Sequence, residues 1–143
     1  RYLAIQIARD GEGASKLIET EVVGARTLAD ARLIAKSVVS SSLVKSAFFG
    51  EDANWGRIIC AIGNSGGHFE PGYVCIHLES AAGQVAVMRD GAGLAFDEEL
   101  AAAVLKEKEI KVLVSLFDGD YSAKAWGCDL TYEYVRINGS YRS

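Results

Sequence analysis

Proline, histidine, clustered basic residues and long apolar runs are all scarce in this sequence. Its 143 residues include one proline, Pro71, and one methionine, Met88. With no proline-rich stretch and no low-complexity segment, there is no sign of a linker. The two histidines, His68 and His77, have no acidic or cysteine partner at ligand spacing, so no metal site is expected. The three cysteines, Cys60, Cys75 and Cys128, lack C-x-x-C spacing and sit in apolar runs such as "RIICAIG" and "YVCIHL". Buried free thiols in a reducing compartment are expected, not a disulfide framework. No stretch approaches the apolar length of a membrane helix and no signal-peptide pattern appears, so no membrane partner is expected. Lys and Arg number 15 against 19 Asp and Glu, a net charge of −4. Without clustered cations, nucleic acid is excluded as a partner. There is no Cys/His pairing, no P-loop and no dinucleotide-binding glycine motif. The chain therefore offers binding groups but no activated nucleophile and no cofactor cradle.

What is present is a globular composition: half the residues are hydrophobic and a quarter charged, enough for one core. "RYLAIQIARD" has the apolar spacing of a helix. "SKLIETEVVGA" alternates Leu17, Glu19 and Glu21 with Ile18, Thr20 and Val22, a half-buried strand ended by Gly24. Thr27 is an N-cap for a helix carrying Ala31, Ile34, Ala35 and Val38 at helical spacing, with Asp30 in its first turn. "LVKSAFFG" reads as a second strand closed by Gly50. "EDANWGRIICAIGNSGG" reads as a loop and a helix with Ile58, Ile59 and Ala61 on its apolar face. "YVCIHLES" and "GQVAVMRDG" form a hairpin, and "FDEELAAAVLKEKE" is a helix with Leu100, Val104 and Leu105 inward. "IKVLVSLFDGD" is a strand, and "AKAWGCDLT" is extended. The irregular alternation predicts an α/β fold of the α+β type: one domain over residues 1–143, with a mixed or mainly antiparallel sheet and about three helices.

Three polar clusters stand out from this pattern. In "RDGEGASK", Gly11 and Gly13 bracket Glu12. Either a helix stops there, or the missing side chains let a ligand approach the carboxylate. Such a carboxylate can hold an ammonium group or move a proton in acyl transfer. In "FGEDANWGR", Asp52 or Asn54 is positioned to cap the following helix, and Arg57 to pair with Asp52 or Glu51. Trp55 points to burial or an interface. The tail "WGCDLTYEYVRINGSYRS" is too apolar to stay frayed and is expected to dock. Docking would offer the amide of Asn138 and the hydroxyl of Ser143 to a polar ligand.

The stretches "RDGEGASK", "SSLVKSAFFGEDANWGRI" and "KAWGCDLTYEYVRING", in that order, resemble the ornithine acetyltransferase family, the bifunctional glutamate N-acetyltransferases of arginine biosynthesis. The resemblance covers nearly the whole chain and matches the C-terminal part of the family's β subunit. It implies a precursor that cleaves itself and frees an N-terminal threonine on the β chain as nucleophile. That threonine takes acetyl from N-acetylornithine and passes it to glutamate, releasing ornithine. Neither the nucleophile nor the oxyanion hole of the α subunit lies in these residues, so this chain is expected to be inactive alone. The resemblance also implies a heterotetramer or higher oligomer with the α subunit and the remainder of β. It implies acetyl-coenzyme A as a second acetyl donor in some members, and a cytoplasmic or organellar location. Glu12, Asn138 and Ser143 match the family's substrate contacts; Asp52, Asn54, Trp55 and Arg57 read from their own chemistry as a structural or supporting cluster, with direct substrate contact as the alternative. Three departures stand out. Ser15 and Ser143 replace threonines and lose a methyl each, and Ala53 replaces a proline, which relaxes a turn.

Two other readings compete. One is a non-catalytic amino-acid-binding or assembly domain of the same fold, and the other a related self-processing hydrolase or aminopeptidase, against which the tail motif argues.

Overall fold

The computed structural model describes residues 16–129. The alternation in "LIETEVVGA" becomes strand β1 (Leu17–Ala25), with Ile18, Thr20 and Val22 buried and Leu17, Glu19 and Glu21 half-buried. Gly24 does not end the strand. It sits one residue before the end, at φ +78°, where a Cβ would lie 2.8 Å from the backbone nitrogen of Phe117. Only glycine accepts both that dihedral and that approach.

Helix α1 (Leu28–Ser40) starts where the capping signal places it. Thr27 Oγ1 accepts from the Asp30 amide at 3.0 Å and donates to Asp30 Oδ2 at 2.7 Å. Ala31, Ile34, Ala35 and Val38 are buried as their spacing predicts.

"LVKSAFFG" is not a strand: Ser42–Phe49 form a second helix, α2. Ser41 caps it, its hydroxyl accepting from the Val44 amide, and Gly50 is its C-cap. Val44, Ala47 and Phe48 are the buried residues, an i, i+3, i+4 set. A short apolar run carries both readings, and the cap together with this face decides for helix. With α3 (Trp55–Gly63) and α4 (Glu98–Lys106), the described residues contain four α-helices where about three were expected. The buried pair of α3 is Ile58 and Ile62, while Ile59 and Ala61 are only partly covered. In α4, Ala101, Val104 and Leu105 are buried and Leu100 is partly covered. Cys75 is buried as expected, but Cys60 is exposed, because it points away from the Ile58–Ile62 face of α3.

The remaining strands are β2 (Cys75–Ser80), β3 (Gly83–Arg89), β4 (Ala92–Gly93), β5 (Glu109–Ser115) and β6 (Tyr121–Cys128). They join β1 in one six-stranded sheet of order β4-β3-β2-β5-β1-β6. β1 and β5 pair in parallel, and the other neighbours are antiparallel, including the expected β2–β3 hairpin. Helix α1 packs across β1 and β6, and α4 packs across β2 and β3. Ile18, Val22, Ile76, Leu78, Ile110, Val112 and Val114 form the buried sheet face beneath them. The register places Glu19 beside both Lys111 and Trp126, Lys111 beside Glu79, and Leu113 beside His77. These residues line the opposite, half-buried face. The expected α+β fold with a mixed sheet is the fold observed. Among the described residues, no helix is long and apolar enough to cross a membrane.

Two predictions concern the start of α1. Thr27→Ala removes the cap and should cost about 1 kcal/mol, read from urea unfolding. The Asp30 pKa is held below its ordinary value, first by the His68 amide donating to Oδ1 and then by Thr27. A carboxylate with a depressed folded pKa adds stability above its unfolded pKa and loses it as pH falls through the folded one. Acid unfolding profiles should show that loss in the parent and not in Asp30→Asn.

Candidate functional site

Lys16 is the first described residue, immediately after "DGEGAS", and Asp129 is the last, at the head of the tail. They bond to each other: the Lys16 amide donates to Asp129 Oδ1 at 2.9 Å, and the Asp129 amide donates to the Lys16 carbonyl at 3.2 Å. The antiparallel register that pairs Leu17 with Cys128 leads directly to this contact. Asp129 is 1% exposed, so its carboxylate needs such donors. The contact thus adds one further rung beyond the Leu17–Cys128 pair.

The side chain of Lys16 extends the same junction. Its Nζ donates to the Phe48 carbonyl at 2.9 Å and to the Leu105 carbonyl at 2.6 Å. Those carbonyls lie in the last turns of α2 and α4, where backbone acceptors lack helical partners and the helix dipole favours a cation. Burial pushes the Lys16 pKa below its ordinary value, opposed by the charges of Glu51 and then Asp129. Glu51, with φ 56°, is one of three non-glycine residues at positive φ among those described. Its amide also donates to Phe48 O, at 3.1 Å. The second polar cluster thus begins beside Lys16.

The rest of that cluster is held by local hydrogen bonds and packing. Asn54, not Asp52, caps α3, its side chain accepting from the Arg57 amide at 3.1 Å, while Asp52 accepts from Asn54 Nδ2 at 3.2 Å. Arg57 pairs with neither Glu51 nor Asp52. Its guanidinium donates to the Leu43 carbonyl at 3.0 Å, because α2 is a helix whose N-terminal end lies beside α3. Trp55 packs against the core with its indole over Gly93.

A groove of about 520 Å³ opens on the sheet face opposite the helices. Leu17, Glu19, Glu79, Glu109, Lys111 and Trp126 are among its walls. Trp126 Nε1 donates to Glu19 at 3.1 Å, and Lys111 is paired with Glu21. That hydrogen bond raises the Lys111 pKa. Glutamates outnumber lysines in this groove, which suits a cationic group. The sequence did not single out this sheet face, and in it Lys16 reads only as a charge flanking Glu12. A lysine ending a glycine-rich loop is an ordinary solvated residue until the fold brings two helix ends to it.

Glu12, Asn138 and Ser143 lie outside the described residues, as do the expected N-terminal helix and the docked tail. Among the described residues no group of three or more His, Cys, Asp or Glu could hold a metal. His68 Nε2 lies 3.9 Å from both Glu70 and Asp118, beside Arg26, whose Nε is 3.0 Å from Asp118.

The fold defines an α+β domain with helices on one face of a mixed sheet. Residues 1–143 match the model of the ArgJ family, and the chain belongs to that family. It is 58% identical over its full length to the arginine biosynthesis bifunctional protein ArgJ of Caldanaerobacter subterraneus subsp. tengcongensis, of which it covers 36%. It is 50% identical over 99% of its length to the glutamate N-acetyltransferase of Methanothermobacter thermautotrophicus, again covering 36%. The crystal structure of ArgJ from Bacillus halodurans superposes with a TM-score of 0.89 at 49% identity, over 98% of this chain and 64% of that one. The chain spans about a third of the length of these curated relatives.

The Trp55–Gly93 contact gives a direct test of the structural role of the cluster. A Cβ at Gly93 would overlap the indole ring. Gly93→Ala should destabilise the fold by about 1–3 kcal/mol, with a matching change in Trp fluorescence on unfolding.

Proposed function

We propose that this chain is the C-terminal part of the β subunit of an acetyltransferase that moves acetyl from N-acetylornithine to glutamate. The observation that carries this reading is the family match across all 143 residues. Relatives named as bifunctional arginine biosynthesis proteins and as a glutamate N-acetyltransferase add to it. In this reading a threonine freed by self-cleavage upstream is the nucleophile and forms an acetyl-enzyme. The present chain supplies part of the substrate wall. Glu12 meets the amino-acid substrate, either binding its ammonium or assisting proton transfer at the reacting nitrogen. Asn138 and Ser143 add neutral hydrogen bonds from the tail. The carboxylate-rich groove beside Leu17 favours a substrate bearing an amino group.

No cofactor enters this mechanism, and acetyl-coenzyme A is a second acetyl donor rather than a resident group. The chain acts with the α subunit and the remainder of β in a higher oligomer in the cytoplasm, and alone it is inactive.

An acetyl-transfer assay from N-acetylornithine to glutamate, on this chain alone and after reconstitution with its upstream partner, tests the reading. Activity is expected only in the reconstituted sample. A folded but inactive complex would instead favour a non-catalytic amino-acid-binding domain.

A further inference from the structure

We propose that the groove on the open sheet face binds a guanidinium-bearing small molecule, with Trp126 as its stacking wall and Glu19 and Glu79 as its anionic walls. The strand registers build it. Trp126, Glu19, Lys111 and Glu79 are successive cross-strand neighbours on β6, β1, β5 and β2, so their side chains leave the same face in one row. All four line the groove, whose volume of about 520 Å³ falls in the size range of small-molecule sites. Neutral donors hold the two carboxylates. Trp126 Nε1 donates to Glu19 Oε1 at 3.1 Å, and Gln84 Nε2 donates to Glu79 Oε1 at 2.9 Å. Such donors orient a carboxylate while leaving its charge in place, and each carboxylate keeps lone pairs for a further donor.

The lysine between them does not cancel these charges, because Lys111 is paired with Glu21. Glu19, Glu79, Glu107 and Glu109 line the groove against two lysines, Lys108 and Lys111, so its potential is negative. The hydrogen bond from Glu21 raises the Lys111 pKa, and the charges of Glu21, Glu79 and Glu19 add to it, so the field of both wall carboxylates reaches across the row. An acidic surface alone attracts any cation, and the indole narrows the choice. A guanidinium is planar and weakly hydrated, stacks on an aromatic face and presents its N–H groups along its edge to carboxylates. An ammonium is a compact, strongly hydrated point charge with no plane to stack. The inference does not rest on the acetyl-transfer reading, which the family match carries.

Titration of the full-length protein, assembled with its subunits, with L-arginine, L-lysine and L-citrulline at constant ionic strength tests the site. Citrulline keeps the shape of arginine without its charge, and lysine keeps a charge without the planar group. Calorimetry should show arginine binding at least about tenfold more tightly than either. Of the two tryptophans, Trp55 packs against the core, so the accompanying fluorescence change should disappear in Trp126→Phe. That variant is expected to weaken arginine about threefold, and Glu79→Gln about fivefold, both with the circular dichroism of the parent. Should Glu79→Gln fail to fold, Glu107→Gln, at an exposed position on the groove, carries the same test. No arginine binding, or equal affinity for citrulline, would overturn the inference. Arginine affinity unchanged in these variants would place its binding elsewhere and overturn it as well. Lysine binding as tightly as arginine would make this a general cation groove and overturn the choice of guanidinium.

Discussion

One lysine ammonium ties together one end of the fold. Lys16 Nζ lies between the carbonyls of Phe48 and Leu105, joining the last turns of two helices that are far apart in sequence to the residue just before β1. Hydrogen bonds to a charged donor contribute about 1.5–3 kcal/mol each. Desolvating the ammonium offsets part of this, as its lowered pKa shows. The helix ends repay that cost, because their last-turn carbonyls and dipoles favour a cation. Asp129, almost completely buried, completes the junction by accepting from the Lys16 amide.

The opposite end of β1 is organised by different means. There Gly24 lets the backbone pass close to Phe117, the Asp118 amide donates to Gly24 O at 2.8 Å, and Arg26 pairs with Asp118. Thr27 and Asp30 then start α1, and Asp30 also accepts from the His68 amide. The parallel β1–β5 pair is thus closed at one end by a capped helix start and at the other by a cation between helix ends. Between the ends, the sheet presents two unlike faces. The apolar one carries the helices. The other bears the Glu21–Lys111 pair and the Glu19–Trp126 hydrogen bond along an acidic groove.

Much of this architecture was legible in the sequence wherever a local signal had only one physical meaning. The alternation of β1, the Thr27 cap, the β2–β3 hairpin and the acidic start of α4 all depend on near neighbours. The misreading of "LVKSAFFG" has an equally local origin, since eight apolar-rich residues satisfy both periods. Burial of Val44, Ala47 and Phe48 against partners distant in sequence makes it a helix. Arg57 was placed with the wrong partner for the same reason: its acceptor, the Leu43 carbonyl, is oriented by that helix. The resemblance of three ordered motifs carried the family, but not the role of the residues between them.

By itself the sequence determined which segments bury a face, where α1 and α4 begin, and to which family the chain belongs. Periodicity, capping and motif order are written in adjacent residues. Only the tertiary structure decided that Lys16, Phe48, Leu105 and Asp129 meet, and that one sheet face is a carboxylate-lined groove. Those contacts span up to 113 positions of sequence, and no local pattern encodes a partner at that distance. They arise when strand register and helix packing bring separate segments together.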